Sequence, residues 1–482
     1  MQIELLKNKK CFIYPFSNST EVLKTHLDSI FDFQGFIDKN VTGKNIFTLN
    51  EILSRYFDYI LIYSPNHEKA IYDEVIQHIN KNKIICVRLD ILNNRYTFLE
   101  NKEFLEESFL QKDELFNYFL AHPKNTPLHP HVVLLIGIDF IDLNIKYLYL
   151  YLKKYSHFKV YLASNNQRDI AIFSQYGIDV IDYNSKEFVN LALEAAIKII
   201  DHNPVEPLLI ETLKIGKCVQ LWHGITIETL GVLTNYKILT YDIVLSTSAF
   251  VSDYSFSKIY DYKEMIHCGY PRNDVLRYDD IELINVDLDL LNAMKNDSFQ
   301  YIIYMPTHRP LSFKSNPIEY QKLNDFAQQN NLKIIIKMHP FVAQKIRDDL
   351  SSYQNKNIDL THLIIYESHK DIYPLLKYSD MLISDYSSVY FDYLYVNKPI
   401  LFFCYDYEEW VRGEQGIILD YFAHSPGDKC YDFDELLKNI LKNLQNDDYE
   451  AERKILLDKM FENQTSLASQ CIDTKLQRLL NQ

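Results

Sequence analysis

The chain reads as an α/β protein made of three successive units. Three observations predict this class. Strand-like apolar runs alternate with helix-spaced stretches along most of the sequence. The 482 residues exceed the about 250–300 at which one hydrophobic core stops growing. Strands separated by helical crossovers call for parallel sheets.

The first unit, residues 1–95, alternates strand-like runs at 11–14, 34–38, 59–64 and 84–87 with helix-spaced stretches at 22–31, from Leu49, and at 66–80. This βαβ rhythm predicts an accessory Rossmann-like domain. Its first turn, PFSNST, lacks the GxGxxG that brings backbone close to a dinucleotide pyrophosphate, so a scaffolding or docking role is expected. Residues 96–130, rich in Glu, Phe, Asn and Pro, read as a helix and a linker. The second unit, 131–297, opens with a strand at 132–138. It continues through a helix at 143–155, strands at 159–163 and 178–181, a helix from Lys186 and a strand at 218–222. The third, 298–482, carries strands at 301–304, 332–337, 363–366, 381–384 and 400–403, with a helical tail after Asp432. Two such units in tandem predict a cleft at the carboxyl ends of both sheets.

Composition narrows the function classes. With 47% hydrophobic and 24% charged residues the chain is an ordinary globular protein. A net charge of −15 disfavours the basic surface of a nucleic-acid binder. No stretch reaches the roughly 18–20 apolar residues that span a bilayer, and MQIELLKNKK lacks a signal-like apolar run, so a cytoplasmic location is expected. The seven cysteines are scattered, odd in number and free of CxxC pairs, and read as reduced thiols. HExxH, GxSxG and Walker A are absent, and nothing in the spacing calls for a metal or a cofactor.

Four constellations carry chemistry. Gln220-Leu-Trp-His223-Gly224 ends a strand on an imidazole, which can accept a hydroxyl proton. Lys337-Met-His339-Pro340 repeats the arrangement. Its proline can open a helix whose free N–H groups favour an anion beside His339. In Tyr304-Met-Pro-Thr307-His308-Arg309, the forked guanidinium suits a diphosphate. Ser384-Asp385-Tyr-Ser387-Ser388 leads into a helix with Asp392 four residues beyond Ser388. No glycine lies between 270 and 412, so hydroxyls and helix-end N–H groups would have to hold phosphate, with Asp392 placed to accept from ribose hydroxyls. Arg272 in the Gly269–Asp274 turn and Arg412 beside Gly413 are further cleft candidates. Singly, each pattern also fits a plain role: a strand-end histidine held by a carbonyl, a solvated loop arginine, an ordinary N-cap.

Together the motifs resemble the CDP-glycerol glycerophosphotransferase family of teichoic-acid and capsule polymerases. The likeness rests on LWHG at 221–224 with Gly231, GYPRND at 269–274, YMPTHR at 304–309, KMHP at 337–340, DYSSVYFDY at 385–393, KPILFF at 398–403 and RG at 412–413, in order, from about residue 130 onward. The resemblance implies a GT-B-like pair of Rossmann-like domains, acceptor-side and then donor-side, behind the extra amino-terminal one. It also implies a CDP-glycerol or related CDP-alditol donor, no metal, and His223 and His339 as the functional histidines. Ser387 and Ser388 would hold the donor diphosphate, with Arg309, Thr307, Asp385 and Asp392 around the same pocket. The acceptor would be a capsule- or teichoic-type glycan or a lipid-linked chain, with peripheral contact at the inner membrane's cytoplasmic face. Two departures limit what the resemblance carries over: Glu228 stands where family members usually carry Lys, which removes a cation that could face an anionic acceptor, and His308 stands where they usually carry Trp before the arginine. The rival readings are a GT-B glycosyltransferase using a nucleotide sugar and a non-catalytic glycan-binding protein.

Overall fold

The structure is a computed structural model. It describes residues 6–27, 30–39, 41, 43–64, 68–90, 95–100, 114–122, 127–137, 143–227, 239–307, 316–338, 360–412 and 418–480. The chain divides into two compact units, one made mainly of residues 1–122 and one of the remainder.

The amino-terminal unit holds a six-stranded sheet of β1 (Lys10–Tyr14), β2 (Asp32–Ile37), β3 (Ile46–Phe47), β4 (Tyr59–Ile62), β5 (Ile84–Asp90) and β6 (Arg95–Glu100). Their order is β3-β2-β1-β4-β5-β6, parallel except for β6, which pairs antiparallel with β5. This is the doubly wound order. Both faces are covered: Phe12, Ile60 and Ile62 pack on one side, Ile13, Leu61 and Ile85 on the other. Because β6 hydrogen-bonds along β5, the sheet continues past residue 95, into the stretch read as linker.

The larger unit contains two parallel sheets. The first is built from β7 (His129–Gly137), β8 (Lys159–Ser164), β9 (Val180–Asp182), β10 (Ala195–Ile200), β11 (Lys217–Gln220), β12 (Thr240–Ser246) and β13 (Asp261–His267), in the order β13-β12-β11-β10-β7-β8-β9. The second is built from β14 (Gln300–Tyr304), β15 (Leu332–Ile336), β16 (Leu363–Ile365), β17 (Met381–Ser384), β18 (Ile400–Phe403) and β19 (Lys429–Cys430), in the order β16-β15-β14-β17-β18-β19. Their central strands are buried over runs such as YIIY at 301–304 and ILFF at 400–403, which is why they read as unbroken apolar runs. The helix expected from Lys186 is present, and the strand after it, β10, is an element the sequence reading did not include. The helix Lys186–Glu194 stops and β10 begins at once, with Lys198 buried in the strand and donating to the carbonyls of Ala195 and Ile215.

The two halves of this unit are fastened by buried polar bonds. Lys146, on the helix Asn144–Tyr155, meets Asp371 at 2.5 Å with both side chains 1% exposed, and the Tyr147 hydroxyl donates to the same carboxylate. The final helix, Ala468–Leu480, returns to the first half: Ser156 Oγ donates to Asp473 at 2.7 Å, and Asp274 accepts from the Ala468 and Ser469 N–H groups at 2.7 and 3.0 Å. Cys268 and Cys471 are joined by a disulfide, which corrects the expectation of seven reduced thiols. The two lie 203 residues apart, so only the returning helix brings them together. Among the described residues, no helix is long and apolar enough to cross a membrane.

Candidate active site

His223 follows β11, whose neighbour in the sheet is β10. Trp222 adopts φ +53°, a left-handed conformation that is costly for a bulky side chain and needs its surroundings to hold it. Three bonds do so. Trp222 N–H donates to Gln220 Oε1 at 2.9 Å, Asn144 Nδ2 donates to the Trp222 carbonyl at 2.7 Å, and Arg272 donates to the His223 carbonyl. The sharp turn swings the imidazole off the strand axis. His223 Nδ1 then lies 3.1 Å from the Asp201 carbonyl, which can only accept, so Nδ1 carries the proton and Nε2 keeps its lone pair. Burial disfavours the charged ring, and the nearby His202, then Arg272, disfavour it further. Against the pull of the Asp201 carbonyl, the pKa falls to about 3. The ring is therefore a neutral acceptor at physiological pH.

Gly224 brings this turn against the other half. A Cβ placed there would lie 2.8 Å from Ser388 Oγ and 3.4 Å from an Arg272 guanidinium nitrogen. Only a residue without a side chain allows that approach. Ser388 occupies the N-cap position of the short helix Val389–Tyr393 but makes no side-chain capping bond, so its hydroxyl is not spent on the helix end. Ser387 and Ser388 are both partly exposed.

Thr307 and Asp385 follow β14 and β17, the adjacent strands where the order of the second sheet reverses. Ligands in open α/β sheets bind at such a point. The Asp385 carboxylate takes the Thr307 N–H at 2.9 Å, the Thr307 hydroxyl at 2.8 Å and the Ser387 N–H at 3.2 Å. It is 1% exposed, so it ties the two strand ends together and sets Ser387 in place without itself facing a phosphate.

Asp392 and Arg272 need correction. Asp392 Oδ2 accepts from Arg272 Nε at 3.1 Å, from the second Arg272 nitrogen at 2.7 Å and from the Tyr373 hydroxyl at 2.8 Å, while Oδ1 accepts from Asn273 at 2.8 Å. The pair is 1–2% exposed. A carboxylate so engaged is not placed to accept from ribose, and the guanidinium faces inward. Burial works against the charge on Arg272, but Asp392 and the Tyr373 and Tyr270 hydroxyls outweigh it and raise its pKa. The pair joins the turn that bears His223 to the helix that bears Ser388.

His339, Arg309, His308, Glu228, Gly231 and the side chain of Arg412 lie outside the described residues. The segment leading to His339 is anchored by Lys337, whose Nζ donates to the carbonyls of Glu367, Ser368 and Lys370 at 3.0, 2.8 and 2.9 Å. Sequence reasoning overlooked Asn144, Asp201, His202 and Tyr373. The only signal available was Asp201-His202 directly after an apolar run, in the manner of the WHG and KMHP strand ends.

The teichoic acid poly(glycerol phosphate) polymerase of Staphylococcus epidermidis is 28% identical over 341 residues, covering 64% of this chain and 45% of that protein. The teichoic acid glycerol-phosphate primase of Bacillus subtilis is 26% identical over 269 residues, 52% of this chain and 66% of that protein. The chain spans about half the length of the polymerases it matches. In fold it is similar to the solved wall teichoic acid polymerase TagF, with a TM-score of 0.62 and 21% identity over 78% of this chain and 96% of that one, which is a GT-B-like arrangement. The family model described as CDP-Glycerol:Poly(glycerophosphate) glycerophosphotransferase matches residues 117–476, leaving most of the amino-terminal unit outside. With three-quarters of its length matched by that model, this chain belongs to the CDP-glycerol:poly(glycerophosphate) glycerophosphotransferase family.

Proposed function

We propose that the chain transfers glycerol phosphate, or a related alditol phosphate, from a CDP-alditol to a hydroxyl of a growing teichoic-acid-like or capsule polymer, releasing CMP. The observation that carries this is the meeting of a neutral His223, Nε2 unprotonated, with the Ser388 hydroxyl of the opposite half across Gly224. His223 Nε2 takes the proton of the acceptor hydroxyl as its oxygen attacks the phosphorus bearing the alditol. The bond from that phosphorus to the bridging oxygen breaks in line, and CMP departs. Ser387 and Ser388 donate to the diphosphate oxygens. His339 and Arg309, by the family resemblance, stabilise charge on the leaving group. Asp385, Arg272 and Asp392 hold these groups in register and touch no substrate.

The acceptor is taken to be a capsule- or teichoic-type glycan or a lipid-linked chain, reached by peripheral contact with the membrane. Glu228 distinguishes the acceptor side from the family's usual pattern. The test is CMP release by the purified protein from CDP-glycerol and CDP-ribitol in the presence of polymer oligosaccharides. Turnover confined to UDP- or CMP-sugars refutes the proposal in favour of a glycosyltransferase. Glycan binding without nucleotide binding refutes it in favour of a binding protein. A folded His223→Ala variant should lose about 10²- to 10⁴-fold in turnover, the usual share of a general base.

A further inference from the structure

Asp201 and His202 stand directly after β10, at the sheet edge that also presents His223, with Ile200 and Gln220 in register on the two neighbouring strands. Asp201 contacts both histidines. Its main-chain carbonyl holds His223 Nδ1 at 3.1 Å, and its carboxylate Oδ1 holds His202 Nδ1 at 2.6 Å. The two rings stack, with centroids 4.8 Å apart and planes 23° from parallel. Gln220 braces the backbone on both sides, donating to the His202 carbonyl at 3.0 Å and accepting from Trp222 N–H at 2.9 Å. Asp201 is completely buried, and its second oxygen, Oδ2, has no hydrogen-bond partner among the described residues. A buried carboxylate in that position needs a donor or a cation, and the His202 ring is the group bonded to it.

We infer that Asp201 and His202 are positioning residues for His223. Asp201 orients both rings, one through its carbonyl and one through its carboxylate, and the positive charge thereby held on His202 keeps its stacked neighbour neutral with a free Nε2. The titratable and charged groups facing His223 among the described residues are these two from the β10 loop and Arg272 from the turn after β13, whose charge is matched by Asp392 from the other half. His202 disfavours a second proton on His223 more than Arg272 does. The catalytic consequence rests on the proposed role of His223 as base; the arrangement of the rings does not.

The experiment is a ring-nitrogen NMR titration of the full chain labelled with ¹⁵N-histidine, the His223 signals being assigned with His223→Gln. The wild type should show His223 protonated at Nδ1, bare at Nε2, and neutral to below about pH 5. His202→Gln should raise its midpoint by about one to three pH units, the range for losing a like charge at this separation. Asp201→Asn, which removes the anion together with the charge it holds on His202, should raise it less than His202→Gln does while leaving the tautomer unchanged, since the carbonyl remains. His202→Lys, which restores a cation, should return the midpoint toward that of the wild type, an outcome that loss of ring packing alone would not produce. A proton on Nε2 in the wild type, or midpoints unmoved in both His202→Gln and Asp201→Asn, overturns the inference. CMP release across pH gives the second readout, in which the acid limb of kcat/KM should move with the ring midpoint. If the wild type turns over no CDP-alditol, the functional proposal fails while the ring titration still decides this one.

Discussion

Removing the Asp392 carboxylate tests how the two halves of the larger unit are held. Asp392→Ala leaves the Arg272 guanidinium, 2% exposed, without its counter-charge, and takes the acceptor from Tyr373 and Asn273 as well. Breaking a buried pair by deleting one partner costs about 3–5 kcal/mol, because the survivor stays desolvated. The unit spans roughly 360 residues. At about 2.1 cal/mol/K per residue its unfolding entropy is about 0.76 kcal/mol/K, so a 4 kcal/mol loss lowers its melting temperature by about 5 °C. The control is Arg272→Met with Asp392→Leu. Removing both charges together removes the desolvation cost, so the double variant should melt within about 2 °C of the wild type although more bonds are lost. It should nonetheless release CMP poorly, because the Arg272 bond to the His223 carbonyl is gone. Calorimetry and the CMP assay on the same preparations separate the two effects. An Asp392→Ala protein that melts with the wild type, or a double variant less stable than the single one, refutes the argument.

Four other outcomes follow from the geometry. Gly224→Ala places a methyl group 2.8 Å from Ser388 Oγ, so the hydroxyl must turn away; kcat/KM for CMP release should fall by about tenfold or more with little change in melting temperature, the cost of misplacing one contact to the donor. His223 is depressed to about 3 in the free protein, but a bound diphosphate adds negative charge beside it and raises its basicity, so the acid limb of kcat should lie at higher pH than that of kcat/KM. Burial raises Asp274 to about 6 despite its bonds from Ser469 and Ala468. Its contribution to stability is therefore full below the unfolded value and lost as pH rises through 6; between pH 4 and 6 the advantage of wild type over Asp274→Asn should shrink by up to about 3 kcal/mol in urea unfolding, and level off above 7. Thiol titration of the denatured, unreduced protein should find five free cysteines, rising to seven after reduction; seven from the outset would exclude the Cys268–Cys471 bond.

The strands of the three sheets were legible to different degrees for a physical reason. Strands such as 301–304 and 400–403 are buried on both faces, so they appear as short runs of Ile, Leu, Tyr and Phe bounded by turns. β10 carries the same burial but follows Leu-Ala-Leu-Glu without a turn residue and contains Lys198, so nothing in the sequence marks it off from the preceding helix. Losing β10 conceals Asp201 and His202, because what matters about them is that β10 lies beside β11, and strand order is not written in local sequence. The motifs mark where side chains leave the sheet edge, and there the reading of His223, Ser387 and Ser388 was possible. It could not say which polar groups face each other.

Asp392 shows why this distinction governs the chemistry. On a helical wheel it lies one turn from Ser388 and is an apt ribose acceptor, yet its oxygens receive four donors from Arg272, Asn273 and Tyr373, all from outside its own helix. An Arg and an Asp 120 residues apart are two cleft candidates in one dimension and a single neutral crosslink in three. Cancelling those charges leaves the described site with neutral donors, the Ser387 and Ser388 hydroxyls, around a neutral acceptor, His223, with the His202 ring bonded to Asp201 just behind it. On the proposed function, a diphosphate would meet these hydroxyls without a described cation set against the base. On that proposal the charge that makes His223 basic would arrive with the donor, and proton abstraction would be favoured only when there is a phosphorus to attack.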